Sequence, residues 1–219
     1  MCGRYILTVK RKQIAAHFAA QDSTPDDATP SIVAPSQVAP VITAEHKLEA
    51  MRWGLRPTWE PESGRSVLLI NARAETLAQK PTFHQLLAQQ RCFIPANGFF
   101  EWEKLPGGRK RPVCYRLRQH GLFAFAGLWD QQRDDAGNVV HAFTIITTAA
   151  NEAVRVIHDR MPVILTPETE AAWLKPAQTI EDLLALLCPY SAQPLVVEDG
   201  APLLATPASS QKVQPLLPF

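Results

Sequence analysis

The alternation of apolar and polar positions predicts a chain made mostly of short strands. Runs that are continuously apolar, or that alternate with a period of two, recur along the sequence and are typical of buried or half-buried strands. They fall at residues 5–7, 32–34, 38–43, 48–53, 67–70, 92–96, 98–102, 113–117, 122–129, 139–148 and 195–197. The runs at 122–129 and 139–148 are apolar enough to lie at the centre of a sheet.

Turn and capping residues indicate where these strands end and where helices begin. Turns are predicted at three places, which are Asn97-Gly98, Gly107-Gly108 and residues 134–138. Helices are predicted over 8–20 with Thr8 as the cap, over 83–90, over 149–157, and after caps at Thr166 and Thr179. Residues 21–31 are a polar segment with prolines and are predicted to form a loop.

Together these elements predict an α+β fold. Mainly antiparallel strands should form a curved, barrel-like or sandwich core with short helices outside it, because strands outnumber helices and turns join several of them. The length of 219 residues suits one large domain or two small ones. No internal repeat or linker divides the sequence, so we expect a single domain over residues 1–219.

Charge is nearly balanced along the chain. Lysine and arginine number 22 against 21 aspartate and glutamate, so there is no global basic field to steer nucleic acid. Any phosphate contact must therefore come from local arginines. The sequence has neither a secretory leader nor an apolar run of about 18 residues. We expect a soluble, cytoplasmic protein with no membrane partner.

The four cysteines are widely separated, at Cys2, Cys92, Cys114 and Cys188, and form no CxxC pair. This spacing argues against a disulfide framework and against a zinc site, so no metal is expected. Cys92 and Cys114 lie in apolar, strand-like runs and are predicted to be core residues.

Cys2 is different because removal of Met1 would make it the amino-terminal residue. It would then carry an amine of reference pKa about 8 and a thiol of reference pKa about 8.5 on neighbouring carbons. An aldehyde would form an imine with the amine, and the thiol could then close a durable five-membered thiazolidine ring. The alternative is that Cys2 is a small buried apolar residue at the start of a strand.

Other candidate residues follow strands or lie among aromatic residues. Asn71 follows the apolar run 67–70, where a site can be built. Glu101, between Phe100 and Trp102, would have a raised pKa if it pointed inward and would be an ordinary polar strand residue if it pointed outward. His158 lies between a helix end and a proline, which is a poor place for a core residue.

Tryptophans at positions 53 and 59 lie in or beside a Gly- and Pro-containing loop. Trp53 is predicted to pack in the core. For Trp59, stacking on a nucleobase and packing in the core are both open.

Six ordered segments, from residue 1 to about 165, carry a family resemblance. They are Met1-Cys2-Gly3-Arg4-Tyr5, Val33-Ala34-Pro35, Trp53-Gly54-Leu55 with Pro57 and Trp59, Ile70-Asn71-Ala72-Arg73 with Glu75 and Thr76, Pro95-Ala96-Asn97-Gly98-Phe99-Phe100-Glu101-Trp102, and Ile157-His158-Asp159-Arg160-Met161-Pro162. In this order and spacing they resemble the SRAP domain family of abasic-site processing proteins. The chain departs from the family pattern at Ile32, where Asn is usual, at Asn97, where Asp is usual, and at Glu60, where some members have a second aromatic residue.

The resemblance implies a protein that binds single-stranded DNA at an abasic site and joins Cys2 covalently to the ring-opened sugar, without a cofactor. It implies roles in DNA damage and the SOS response, a peptidase activity that removes residues ahead of Cys2, and a lyase side reaction. The implied catalytic residues are Cys2, Asn71, Glu101 and His158. The implied DNA-binding residues are Arg4, Trp59, Arg73 and Arg160, of which the arginines suit phosphates and the tryptophan suits a base. A monomer associated with the nucleoid is expected.

Two other classes of function remain open. An amidohydrolase of the glutaminase type also begins Met-Cys-Gly and uses a freed amino-terminal cysteine as nucleophile. In that case Asn71-Ala72-Arg73 would bind a carboxylate. Alternatively, the chain is a non-covalent single-stranded DNA module in which Cys2 has no chemical role.

Overall fold

Strands make up most of the regular structure in this computed structural model, which describes residues 2–22, 31–57, 67–118, 121–134 and 136–205. The strands are β1 (Tyr5–Ile6), β2 (Gln21–Asp22), β3 (Ile32–Val33), β4 (Val38–Thr43), β5 (Lys47–Trp53), β6 (Asn71–Arg73), β7 (Arg91–Ala96), β8 (Gly98–Lys104), β9 (Lys110–Leu117), β10 (Phe123–Arg133), β11 (Val139–Ala149), β12 (Arg160–Pro162), β13 (Ile164–Leu165) and β14 (Leu195–Asp199). The helices are α1 (Arg11–His17), α2 (Pro81–Gln89), α3 (Glu152–Arg155), α4 (Pro167–Leu174), α5 (Ile180–Ala185) and α6 (Ala201–Ala205), with 3₁₀ turns at Ala74–Thr76 and Pro106–Gly108.

Five of the strands in the described residues close into a barrel. The order is β11-β10-β7-β4-β5, and β5 returns to pair with β11. Every pairing around the ring is antiparallel except this last one, in which Arg52 and Trp53 lie beside Ala142 and Phe143. The predicted α+β fold with mainly antiparallel strands and short helices is therefore confirmed, and the barrel is the form that the core takes.

A second sheet packs against the barrel and has the order β14-β9-β8-β1-β3. Tyr5 of β1 joins the two, because its ring lies 5.3 Å from Trp53 and 5.9 Å from Phe125, between ring centroids. Aromatic pairs of this kind are each worth about 0.5–1.5 kcal/mol beyond the area that they bury. These contacts fix β1, and with it the beginning of the chain, against the side of the barrel.

The predicted turn at Asn97-Gly98 is not a hairpin. The strand before it, β7, belongs to the barrel, whereas β8 belongs to the second sheet and pairs with β1 and β9. Asn97 is buried at this crossing, and its Oδ1 accepts hydrogen bonds from the backbone N–H and the hydroxyl of Thr8. A Cβ on Gly98 would lie 2.8 Å from the carbonyl oxygen of Tyr115, so only glycine fits there without a shift of the backbone.

Two other predictions are wrong in detail. Thr8 does not cap α1, because it is engaged by Asn97, and the helix begins at Arg11 after Lys10. Residues 67–70, predicted as a strand, form only an isolated bridge between Leu69 and Leu55. The strand is instead the polar stretch β6, because β6 finds a pairing partner in β11.

The remaining elements largely agree with the sequence pattern. The helix predicted over 149–157 is shorter and forms only α3. The first two residues of the loop predicted over 21–31 form the strand β2. The side chains of Thr166 and Thr179 accept hydrogen bonds from the third residues of α4 and α5, as predicted for caps. Trp53, Cys92 and Cys114 are fully buried, which confirms that they are core residues. In the part of the chain described, no helix is both long and apolar enough to cross a lipid bilayer.

Candidate active site

Cys2 is fully buried near the start of the second sheet, three residues before β1. Its backbone carbonyl accepts a hydrogen bond of 2.9 Å from Nδ2 of Asn71, and its Sγ lies 3.8 Å from the carbonyl oxygen of Arg4. Burial raises the pKa of the Cys2 thiol well above its ordinary value, and the nearby charge of Glu101 raises it further. The thiol is therefore held in its neutral form.

Asn71 is the first residue of β6 and lies beside Ile145 of β11. Its amide nitrogen is engaged by Cys2, but its Oδ1 is buried and accepts no hydrogen bond within the described structure. An amide oxygen without a donor in a buried position is costly. The side chain thus anchors Cys2 with one atom and presents an acceptor with the other.

Glu101 lies on β8, which runs between β1 and β9, and is only 2% exposed. The inward orientation is therefore the correct one of the two that the sequence left open. Burial raises the pKa of the Glu101 carboxyl, while attraction to His158 opposes that shift. A carboxylate with a raised pKa is a stronger base than an exposed one.

His158 follows α3, and its backbone N–H donates to the carbonyl of Val154, which continues the helix by one bond. The backbone N–H of Arg160 points at Nδ1 of the imidazole at 3.0 Å. Because this nitrogen accepts that bond, the proton of the neutral ring lies on Nε2. Asp159 Oδ1 also lies 2.9 Å from Nδ1, and it can accept a hydrogen bond from this nitrogen when Nδ1 carries a proton, as it does in the imidazolium form.

Arg160 is fixed by several contacts and is only 11% exposed in its side chain. Its two terminal nitrogens donate to both carboxylate oxygens of Glu75, at 2.6 Å and 2.9 Å, and one of them also donates to the carbonyl of Thr147. The guanidinium is the main reason that the pKa of Glu75 is lowered. Arg160 therefore links β12 to the segment after β6. To bind a phosphate as predicted, its guanidinium would have to contact the phosphate and Glu75 at the same time.

Arg4 and Arg73 are the other predicted DNA-binding residues that the structure describes. The guanidinium carbon of Arg4 lies 5.8 Å from the ring centroid of Trp102, in cation–π geometry. Arg73 is exposed on β6, two positions beyond Asn71. Trp59 and Glu60 lie outside the described residues.

The departures from the family pattern at the other two positions have packing roles. Asn97 holds the crossing between the two sheets through Thr8. Ile32 lies beside Ile6 of β1 and packs in a small apolar cluster with Phe100 and Cys114.

Several residues near the site could not be assigned from the sequence. Glu75 and Thr147 fix Arg160, and Trp102 lies under Arg4. Tyr115 is fully buried, stacks on Phe99 and donates from its hydroxyl to a carbonyl of α3. Glu75 and Trp102 lie within the six sequence segments, whereas no segment includes Thr147.

The arrangement as a whole brings a nucleophile, an acceptor and two proton-transfer groups together. Cys2 and Glu101 belong to the second sheet, whereas Asn71 and His158 lie on segments that are attached to the barrel strand β11. Such a set can capture an electrophilic carbon and move protons to and from it. Among the described residues, no group of three or more His, Cys, Asp or Glu side chains is placed to hold a metal ion.

The match to known proteins places the chain in a family. The model of the family described as SOS response associated peptidase (SRAP) matches residues 1–199, and the chain belongs to this family. The resemblance drawn from the six sequence segments is therefore confirmed.

Individual relatives span nearly all of the chain. It is 41% identical over 216 residues to the abasic site processing protein YoqW of Bacillus subtilis (strain 168), with 96% of each chain covered. It is 30% identical over 183 residues to the abasic site processing protein YedK of Escherichia coli (strain K12), with 80% of each covered. A crystal structure of a Bacteroides thetaiotaomicron protein superposes with a TM-score of 0.84 at 28% identity, over 99% of this chain and 100% of that one.

Proposed function

We propose that this chain binds single-stranded DNA at abasic sites and captures the ring-opened deoxyribose as a covalent thiazolidine on Cys2. The observation that carries the proposal is the buried pairing of Cys2 with Asn71, beside Glu101. The names of the relatives YoqW and YedK support the substrate, because both are abasic site processing proteins. A role in the DNA damage response, in the cytoplasm at the nucleoid, follows from the same substrate.

The chemistry begins with the removal of Met1, which frees the amine of Cys2. The amine attacks C1′ of the sugar aldehyde, and loss of water gives an imine. The thiol sulfur then bonds to the same carbon while its proton passes to the imine nitrogen, which becomes a ring amine. The net reaction joins protein and DNA with the release of one water and involves no oxidation or reduction.

The two titratable residues suit the two proton transfers. Glu101 is suited to take the proton from the ammonium form of Cys2, because its raised pKa makes it a better base than an exposed glutamate. In its imidazolium form, which can pair with Asp159 through Nδ1 at 2.9 Å, His158 is suited to donate a proton to the departing oxygen when the sugar ring opens and water leaves. Asn71 Oδ1 is placed to accept a hydrogen bond from the amine or from a sugar hydroxyl.

The order of attack follows from burial. Since the Cys2 thiol is held neutral, we expect the amine to react first and the thiol to close the ring afterwards. An imine acidifies the neighbouring C2′ proton and favours strand cleavage by β-elimination, so a lyase side reaction is expected while the imine persists. Ring closure removes the imine and suppresses that cleavage. The peptidase activity in the family description would here amount to the removal of Met1.

The proposal is tested with an oligonucleotide that carries one abasic site. The wild type should give an adduct that resists denaturant without any reductant, with the mass of the Met1-free protein plus the oligonucleotide less one water. Cys2→Ala retains an amine, so it should give an adduct only when borohydride reduces the imine. Cys188→Ala removes an exposed free cysteine and should react like the wild type.

Other results would favour the alternative classes. Hydrolysis of glutamine by a protein that forms no adduct would indicate the amidohydrolase. Equal DNA binding by wild type and Cys2→Ala, with no adduct from either, would indicate the non-covalent module. Adduct formation by a protein that keeps Met1 would refute the role of the freed amine.

A further inference from the structure

A cavity of about 310 Å³ lies away from Cys2, where the ends of β5, β10 and the start of β11 meet. Among the described residues, its lining includes three arginines, Arg52 at the end of β5, Arg56 beyond it and Arg133 at the end of β10, and one carboxylate, Asp134. These residues carry a local excess of positive charge, although the whole chain has a formal net charge of only +1. We call this site the arginine cavity.

The backbone holds these arginines in place. Arg52 is paired on both sides, with Val38 of β4 and with Ala142 of β11. The side-chain amide of Gln132 forms two hydrogen bonds to Arg56, accepting from its N–H at 2.8 Å and donating to its carbonyl at 2.9 Å. This amide makes the two backbone hydrogen bonds that a neighbouring strand would otherwise make, and so it holds Arg56, which lies outside any strand.

Arg133 and Asp134 line the cavity on the side of the β10–β11 turn. One terminal nitrogen of Arg133 donates to the carbonyl of Gly137 at 2.7 Å. Asp134 Oδ1 accepts from the backbone N–H groups of Ala136 and Asn138, both at 2.9 Å. Asp134 thus shapes the turn and also attracts Arg52, and the described lining carries three cationic side chains against one anionic one. Guanidinium groups on a fixed backbone are suited to phosphate.

The position of the cavity relates it to the proposed reaction centre. Ala142, which lines the cavity, lies three residues before Ile145 on β11, and Ile145 lies beside Asn71. At about 3.4 Å per residue this separation along the strand is roughly 10 Å. The same distance corresponds to about three phosphates of a B-form strand, and to fewer of an extended one.

We propose that the arginine cavity binds phosphate groups of the DNA strand a few nucleotides from the abasic site. The inference rests on the proposed function, since it takes the bound strand to pass Asn71. It adds a binding site to a chain whose net charge gives it little attraction for DNA. It also predicts a minimum length of strand on one side of the lesion for full affinity.

The test uses oligonucleotides with a tetrahydrofuran abasic analogue, which lacks the aldehyde and so reports binding alone. The analogue is placed with a long or a short flank on the 5′ side, and likewise on the 3′ side. The full-length wild type is compared with a variant in which Arg52, Arg56 and Arg133 are all changed to Gln. A control variant removes the same charge by changing three exposed lysines to Gln, at α1 and at the start of β5: Lys10, Lys12 and Lys47.

We expect the arginine variant to bind about tenfold more weakly when the correct flank is long, and within about twofold of wild type when that flank is short. The slope of log affinity against log salt should decrease by about 0.7 for each phosphate lost. The lysine control should not depend on flank length. Equal losses for both variants, or a loss that ignores flank length, would overturn the inference.

A free phosphate is the other source of the same chemistry. If inorganic phosphate protects the wild type thermally and the arginine variant loses that protection with no change in DNA affinity, the cavity binds a free anion and the proposed DNA contact is wrong. Adduct formation at saturating protein separates this inference from the proposed function. If the arginine variant forms adduct normally and its loss of affinity does not depend on flank length, only the proposed phosphate contact at the cavity is refuted. If the loss of affinity depends on flank length but no adduct forms with any protein, only the covalent reaction is refuted.

Discussion

Replacing Asn71 separates two effects that its amide can have. In the structure Nδ2 anchors the carbonyl of Cys2 at 2.9 Å, and Oδ1 is buried without a donor. Loss of one neutral hydrogen bond costs about 0.5–1.5 kcal/mol. At about 1.4 kcal/mol for each factor of ten in rate, loss of the anchor alone would slow adduct formation roughly twofold to thirteenfold.

A larger loss is expected if Oδ1 contacts the reacting amine or sugar. Preorganised groups that act on charge in the transition state are typically worth about 100- to 1000-fold. We therefore expect Asn71→Ala to slow adduct formation by about 100-fold or more. Asn71→Asp keeps an acceptor oxygen but loses the donor to Cys2, and should lie between Asn71→Ala and the wild type.

The assay is single-turnover adduct formation over a range of DNA concentrations, quenched in denaturant. It yields a maximal rate and a half-saturating concentration, and the effect should appear in the maximal rate. Asn138→Ala, in the β10–β11 turn, is a control that should react like the wild type. A maximal rate for Asn71→Ala within about threefold of wild type, or an effect confined to the half-saturating concentration, would refute this account of Asn71.

Two further predictions concern carboxylates. Burial raises the pKa of Glu101 in the folded chain, so the wild type loses stability as pH rises from the ordinary glutamate pKa through the raised one. Glu101→Gln should therefore have a higher Tm than wild type at pH 7, and the gain should shrink as pH falls to about 4; melting curves across this range would contradict the reasoning if the difference were constant. Glu75→Gln weakens the half-exposed pair with Arg160 and should change the free energy of unfolding by less than about 1 kcal/mol. Because the backbone N–H of Arg160 orients the imidazole of His158, Glu75→Gln should slow adduct formation several-fold. Glu103→Gln removes an exposed ion pair on β8 and should not slow adduct formation.

Local patterns were sufficient for the strands that dominate the fold. β4, β5, β10 and β11 were predicted because each carries a long apolar or alternating run, and such a run forms a strand in almost any sheet. The path at Asn97-Gly98 was not predicted correctly. Its sequence is a strong local signal for a turn, but whether the strands on either side pair with each other depends on the partners that long-range contacts supply.

The same distinction applies to the candidate site. Burial of Glu101 among aromatic residues was one of two readings that its neighbours allowed, and only the packed sheet decides between them. The contact between Asn71 and Cys2 joins residues 69 positions apart, so no local pattern could have revealed it. Engagement of Arg160 by Glu75 is likewise a product of the tertiary fold, and the sequence suggested only a phosphate ligand.

The direct passage of the chain from β7 in one sheet to β8 in the other, at Asn97 and Gly98, has a consequence for how the protein should lose activity under stress. In the proposed reaction, Cys2 and Glu101, which attack and accept protons, belong to one sheet, and Asn71 and His158, which anchor and donate, lie on segments attached to the other. A small increase in the gap between the two layers would separate these halves while each layer remained intact. In mild denaturant, we therefore expect crosslinking to disappear before the circular dichroism of the strands changes.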